Sequence, residues 1–158
     1  MAKVNVRRRP GERGQAVIEL ALTLPLLLLI VLGMFDFGLM FQRYEVLTNA
    51  AREGARVGVL PGYGTGDASQ RSLDYLAVGG LSGPIRGCGA AYSAGSRCAS
   101  AVISTTTITG SSPAKTVNQV TVTVEYDHGH VFVGPIISLF GGSLGTTRLR
   151  SVSTMRVE

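Results

Sequence analysis

His128 and His130 are the only histidines in the chain. A His-x-His pair can offer two nitrogen ligands to a metal. Asp127 is the only acidic residue adjacent to them and there is no third histidine, so the pair reads as a solvated turn and no metal site is expected. Gly62-Tyr63-Gly64-Thr65-Gly66-Asp67-Ala68-Ser69 is rich in glycine but lacks the Gly-Lys-Ser/Thr of a phosphate loop and reads as a connection. Neither a nucleophile elbow nor a Ser-His-Asp spacing is present. No catalytic residue and no cofactor are expected, and the chain does not read as an enzyme. Cys88 and Cys98 flank a short glycine- and serine-rich loop. They fall in the part of the chain expected outside the cytoplasm and are expected to form a disulfide worth about 2–3 kcal/mol; in the cytosol they would be two thiols or a weak metal pair. The remaining chemically suggestive residue is Glu19, which stands one residue before a long apolar run. A carboxylate there marks either a functional site or an interfacial side chain near the helix end.

The elements that position these residues follow from where charge and apolar residues fall. The chain has 158 residues, a net charge of +5 and 45% hydrophobic composition. Lys3, Arg7, Arg8, Arg9 and Arg13 against Glu12 place +4 of that charge in residues 1–14. The body is near neutral and offers no footprint for nucleic acid. Leu20 to Phe35 is uncharged, and apolar character resumes from Phe37 to Phe41. A helix from Ala16 to Phe41 rises about 39 Å, enough to cross a roughly 30 Å hydrocarbon core in contact with membrane lipid. The basic head then predicts a cytoplasmic N-terminus with the remainder outside. Pro25 inside the span removes the donor to the Ala21 carbonyl, which membrane helices tolerate.

The run Arg13-Gly14-Gln15-Ala16-Val17-Ile18-Glu19-Leu20 resembles the processing site of type IV pilin-like proteins. Asn49-Ala50-Ala51-Arg52-Glu53-Gly54-Ala55-Arg56 resembles the signature of TadE-like minor pseudopilins of the tight-adherence (Tad, type IVc) pilus, and Ser153 to Glu158 resembles their C-terminal strand. The resemblance implies a prepilin peptidase that cuts between Gly14 and Gln15, leaving Glu19 as the fifth mature residue. It also implies that Glu19 pairs with the terminal amine of a neighbouring subunit during assembly, and that the partners are other pilin or pseudopilin subunits and the Tad machinery. Leu20 stands where the major pilin of this system carries an aromatic, which favours a minor subunit. Residues 62–116 carry nothing specific to the family.

The expected domains are a basic leader 1–14, a transmembrane helix 15–41 and an exported domain 42–158. The helix is expected to continue to Pro61-Gly62, with Tyr44, Leu47, Ala51, Ala55 and Gly58 on one stripe and Gly54 beside it. Ala51, Gly54, Ala55 and Gly58 are the expected close-packing positions, seated on the protein's own sheet rather than in a groove between subunits. A short helix follows, capped by Asp67 or Ser69 and ended by Gly79-Gly80. From Ala101 the period changes to two, which predicts a hairpin around Gly110 to Lys115, with Val120, Val122, Val124 and Tyr126 on one face. A third strand runs from Arg148 to Val157. The segment Val131 to Gly142 is too short to span a membrane and is expected in the core, with a bilayer or sister-subunit contact as alternatives. The fold class is therefore α+β, a long N-terminal membrane helix leading into a small antiparallel sheet of about three strands. The expected function is a minor pseudopilin in the cytoplasmic membrane. An uncleaved, membrane-anchored binding or sensory domain is the alternative.

Overall fold

A computed structural model of the chain describes residues 10–90, 93–108 and 115–157. Lys3 and Arg7 to Arg9 of the basic head, most of the hairpin loop and Glu158 lie outside the described residues. The element order is α1 (Pro10–Gly58), α2 (Thr65–Val78), β1 (Arg97–Ile108), β2 (Lys115–His128), α3 (Val133–Leu139) and β3 (Thr147–Arg156). The fold is α+β, with one three-stranded antiparallel sheet in the order β1-β2-β3.

α1 is 49 residues long and passes through Pro25 without interruption. Long unbranched and small side chains favour helix along its length. Beyond Gly58 the chain turns at Pro61-Gly62, where Gly62 has φ +86°, a conformation that a side chain would disfavour. α2 then returns antiparallel along α1. Its N-cap is Gly64, not Asp67 or Ser69. The Asp67 carboxylate instead accepts the Gly64 N–H from the third helical position, 2.8 Å away. An acceptor at that position satisfies a backbone donor that would otherwise be orphaned.

The sheet is longer on its first strand than periodicity implies. β1 begins at Arg97 rather than Ala101, and Lys115 pairs with Ile108 instead of lying in the turn. The register places Ala99 against Val124 and Ala101 against Val122, while Val120 faces Met155 of β3. Val120, Val122, Val124 and Tyr126 therefore share the face that packs on the helices. Leu47, Ala50, Ala51 and Ala55 of α1 and Ala68, Leu73 and Leu76 of α2 close this core.

The opposite face of β2 carries two acidic residues, Glu125 and Asp127, and both are buried. The connection between α2 and β1 folds over them and delivers Arg86. Its guanidinium donates to Asp127 at 2.7 Å and to Glu125 at 3.1 Å. Ser96 also donates to Asp127, and Arg148 of β3 lies 3.5 Å from it. Burial works to raise the Asp127 pKa, but Arg86 and the Ser96 hydroxyl outweigh it and hold the carboxyl below its ordinary value. Cys88 and Cys98 are joined by a disulfide that ties the same connection to β1, directly across from Glu125.

Candidate functional site

The functional candidate is α1 itself, whose character changes abruptly along its length. From Gly14 to Ile30 every side chain is exposed, Glu19 included. No residue of the most apolar eighteen-residue window is buried by the protein. An apolar helix of this length, charged only at Glu19 near one end and with no protein against it, matches lipid as its solvent. It fits a single-pass membrane anchor. Gly14 and Gln15 lie on this exposed helix, and a Cβ built at Gly14 meets nothing within 4 Å. Glu19 has its backbone carbonyl engaged by the Thr23 hydroxyl at 2.9 Å.

The second half of α1 is a packing rail. Asp36, Leu47, Ala50, Ala51, Gly54, Ala55 and Gly58 are buried, with Met40 and Arg43 half-buried on the same stripe. Tyr44 does not belong to the stripe. It is 45% exposed, because the spacing of the buried positions turns Ala50 rather than Tyr44 inward. The glycines are needed for close approach to this protein's own elements. A Cβ at Gly54 would stand 2.7 Å from the Ala68 carbonyl, and one at Gly58 would stand 2.8 Å from a Val120 methyl. Glu53, beside the rail, accepts from Arg56 and from Arg71 of α2, both at 3.0 Å. These two guanidiniums hold its carboxyl at about 2.

Between the apolar half and the rail sits a polar seat that sequence reasoning missed. The Asp36 carboxylate, 4% exposed, accepts the backbone N–H groups of Val131, Phe132 and Val133 at 2.8–3.3 Å. About two turns further along, Arg43 donates to Nδ1 of His128. It also lies over the Tyr126 ring, 5.6 Å from its centroid. Asp36, Met40, Arg43 and Leu47 recur at three- and four-residue spacing, so the stripe of the rail already contained the two charges. Nothing in the local sequence says which strand they meet.

His128 corrects the expected solvated turn. It closes β2 and is fully buried. Arginine has only donors, so Nδ1 must be an acceptor and the imidazole is neutral with its proton on Nε2. Burial, reinforced by the Arg43 charge, lowers its pKa from the ordinary histidine value. The folded state therefore resists a proton that the unfolded chain accepts. Stability contributed by neutral His128 is complete above about pH 6.5 and is lost as pH falls below it. Thermal melts in detergent should show a midpoint declining between pH 7 and 5. His128→Asn, which keeps an acceptor for Arg43, should flatten that decline, and an unchanged slope would contradict this assignment.

The Val131 to Gly142 segment is a second correction. It contains a helix, α3, but none of the residues of α3 is buried, so it is not part of the core. It leans on the apolar half of α1 through the Asp36 bonds and a tilted Phe35–Phe132 ring contact at 6.2 Å. The core was already filled by alanines and valines of α1 and β2, which left no space for it.

Among the described residues no group of three or more His, Cys, Asp or Glu side chains is placed to hold a metal. The chemistry available is that of packing and charge pairing along one helix. The family model of TadE-like proteins matches residues 14–56. Over this segment the chain is similar to TadE-like proteins. No curated protein and no solved structure matches the chain. The TadE-like segment starts at Gly14 and ends within the last turn of α1, so it covers both the lipid-facing half and nearly all of the rail. The match covers 43 of the 158 residues, so the likeness to TadE-like proteins concerns this helix. The sheet and α3 lie beyond the matched residues.

Proposed function

We propose that this chain is a minor pseudopilin of a Tad-type pilus, stored in the cytoplasmic membrane and packed into a helical bundle with other pilin or pseudopilin subunits. The observation that carries this is the division of α1: an outward-facing apolar half holding Glu19, joined to a half occupied by the protein's own domain. A bare helix of this kind has two satisfactory environments, lipid and a bundle of like helices, and assembly exchanges one for the other. In this scheme residues 1–14 are a leader, 15–41 the span and 42–158 the exported domain, with the N-terminus cytoplasmic. Prepilin peptidase cleaves between Gly14 and Gln15, exposing a terminal amine four residues from Glu19.

The test is intact mass of protein recovered from membranes. With the peptidase present, the mature chain should begin at Gln15, or at its cyclised form. Gly14→Val should retain the longer chain. Because Gly14 touches nothing in the fold, such a block would report on the peptidase pocket rather than on misfolding. A wild-type chain that keeps its basic head beside an active peptidase would overturn the pseudopilin proposal in favour of an uncleaved, membrane-anchored binding domain.

A further inference from the structure

Gly129 to Thr147 contains no Lys, Arg, Asp or Glu, a long gap for a connection outside the core. Its helix α3 buries nothing, and Leu139 and Phe140 are 82% and 84% exposed. Large apolar side chains left open together mark a surface that meets something other than water. The position of the segment identifies what that is. Asp36 receives three consecutive backbone N–H groups from Val131 to Val133, so α3 begins at the level of Asp36 on α1. Val133 and Leu144 then border an apolar groove with Leu29, Gly33 and Phe37, on the exposed stretch of the same helix.

Twenty helical residues cross a hydrocarbon core of about 30 Å, so a core that begins between Ala16 and Glu19 ends between Asp36 and Leu39. The connection therefore stands at the boundary of the bilayer on the domain's side. Backbone at that depth has little water to bond with and must find acceptors within the protein. The three N–H groups seated on one carboxylate meet that requirement. We propose that residues 131–144 form a second membrane contact, an interfacial foot whose Leu139 and Phe140 insert among the acyl chains of the leaflet nearest the domain. Its lipid surface is continuous with that of the span, and Asp36 locks the two together. The domain is thereby held against the bilayer instead of swinging from a single helix, and Asp36 is a positioning residue for that contact.

The proposal rests on α1 spanning the bilayer and is independent of leader cleavage. The chain has no tryptophan, so single replacements report their own surroundings. Full-length Phe140→Trp, Leu27→Trp and Tyr63→Trp proteins would be reconstituted in phosphatidylcholine vesicles. Each would be titrated with phosphatidylcholine brominated on the acyl chain and, separately, with aqueous iodide. Leu27 marks the span, and Tyr63 is an exposed residue at the far end of the domain. Phe140→Trp should be quenched by brominated lipid roughly threefold or more above Tyr63→Trp, and shielded from iodide, as an apolar face sunk at the acyl boundary would be. Quenching by iodide to the level of Tyr63→Trp would overturn the foot while leaving the span intact. Shielding from both quenchers would also overturn it, since the segment would then be covered by a second copy of the chain. Failure of brominated lipid to quench Leu27→Trp would remove the spanning helix itself, and the foot with it.

Discussion

Asp127→Ala is expected to lower folding stability by about 3 kcal/mol, because it leaves the Arg86 guanidinium buried with one carboxylate fewer. Asp127 is wholly inaccessible, while only 10% of the Arg86 side chain reaches solvent. Removing one partner of such a pair costs more than the pair itself contributes, since the remaining charge has lost its water and its counter-ion together. Glu125 still accepts from Arg86 at 3.1 Å, which keeps the loss near the lower end for broken buried pairs. In detergent, thermal unfolding should shift downward by on the order of 10 °C or more. Asp74→Ala, an exposed change on α2, should stay within about 0.5 kcal/mol. Equal melting of the two variants would mean that the cluster on the outer face of β2 contributes nothing to holding the 81–96 connection.

Glu19→Ala should have the opposite profile, leaving the fold untouched and reducing assembly. The side chain is exposed on the bare half of α1. Its role in the proposed function arises only when α1 leaves the bilayer for a bundle. Near the membrane surface, headgroups and water solvate both Glu19 and the new terminal amine. In an apolar bundle each charge needs an opposite one, and pairing between neighbouring subunits would set the axial register. Cleaved Glu19→Ala protein, expressed equally with wild type, should co-purify with its partner subunits at roughly a tenth of the wild-type level or less, the consequence of an unpaired buried charge costing more than about 1.4 kcal/mol. Insertion and cleavage should remain near normal. Wild-type recovery of partners with the alanine variant would make Glu19 an interfacial side chain.

Some of this architecture is local and needed only the order of residues. The basic head before an uncharged run determined the long apolar helix, because no other structure satisfies so many backbone groups without water. The alternation of Val120, Val122, Val124 and Tyr126 determined the inward face of β2, since a period of two leaves no choice of face once one side is apolar. Gly54 and Gly58 on the alanine stripe announced a close approach, although not that Ala68 and Val120 were the groups approaching. Residues whose partners lie far along the chain were not legible in this way. Asp36 stands in the sequence only as the one charge between Phe35 and Phe37, and its three donors come from ninety-five to ninety-seven residues later. His128 sat beside a glycine and looked like part of a turn, but the β2–β3 ladder runs two residue pairs beyond Tyr126 and Arg43 donates to the buried ring. The apolar Val131 to Gly142 segment has the composition of a core element. It was displaced because the space against the sheet was already taken by α1 and α2, and composition records how apolar a segment is without recording which surface remains free to cover it. That allocation of surfaces, made by packing between elements distant in sequence, was decided by the tertiary structure alone.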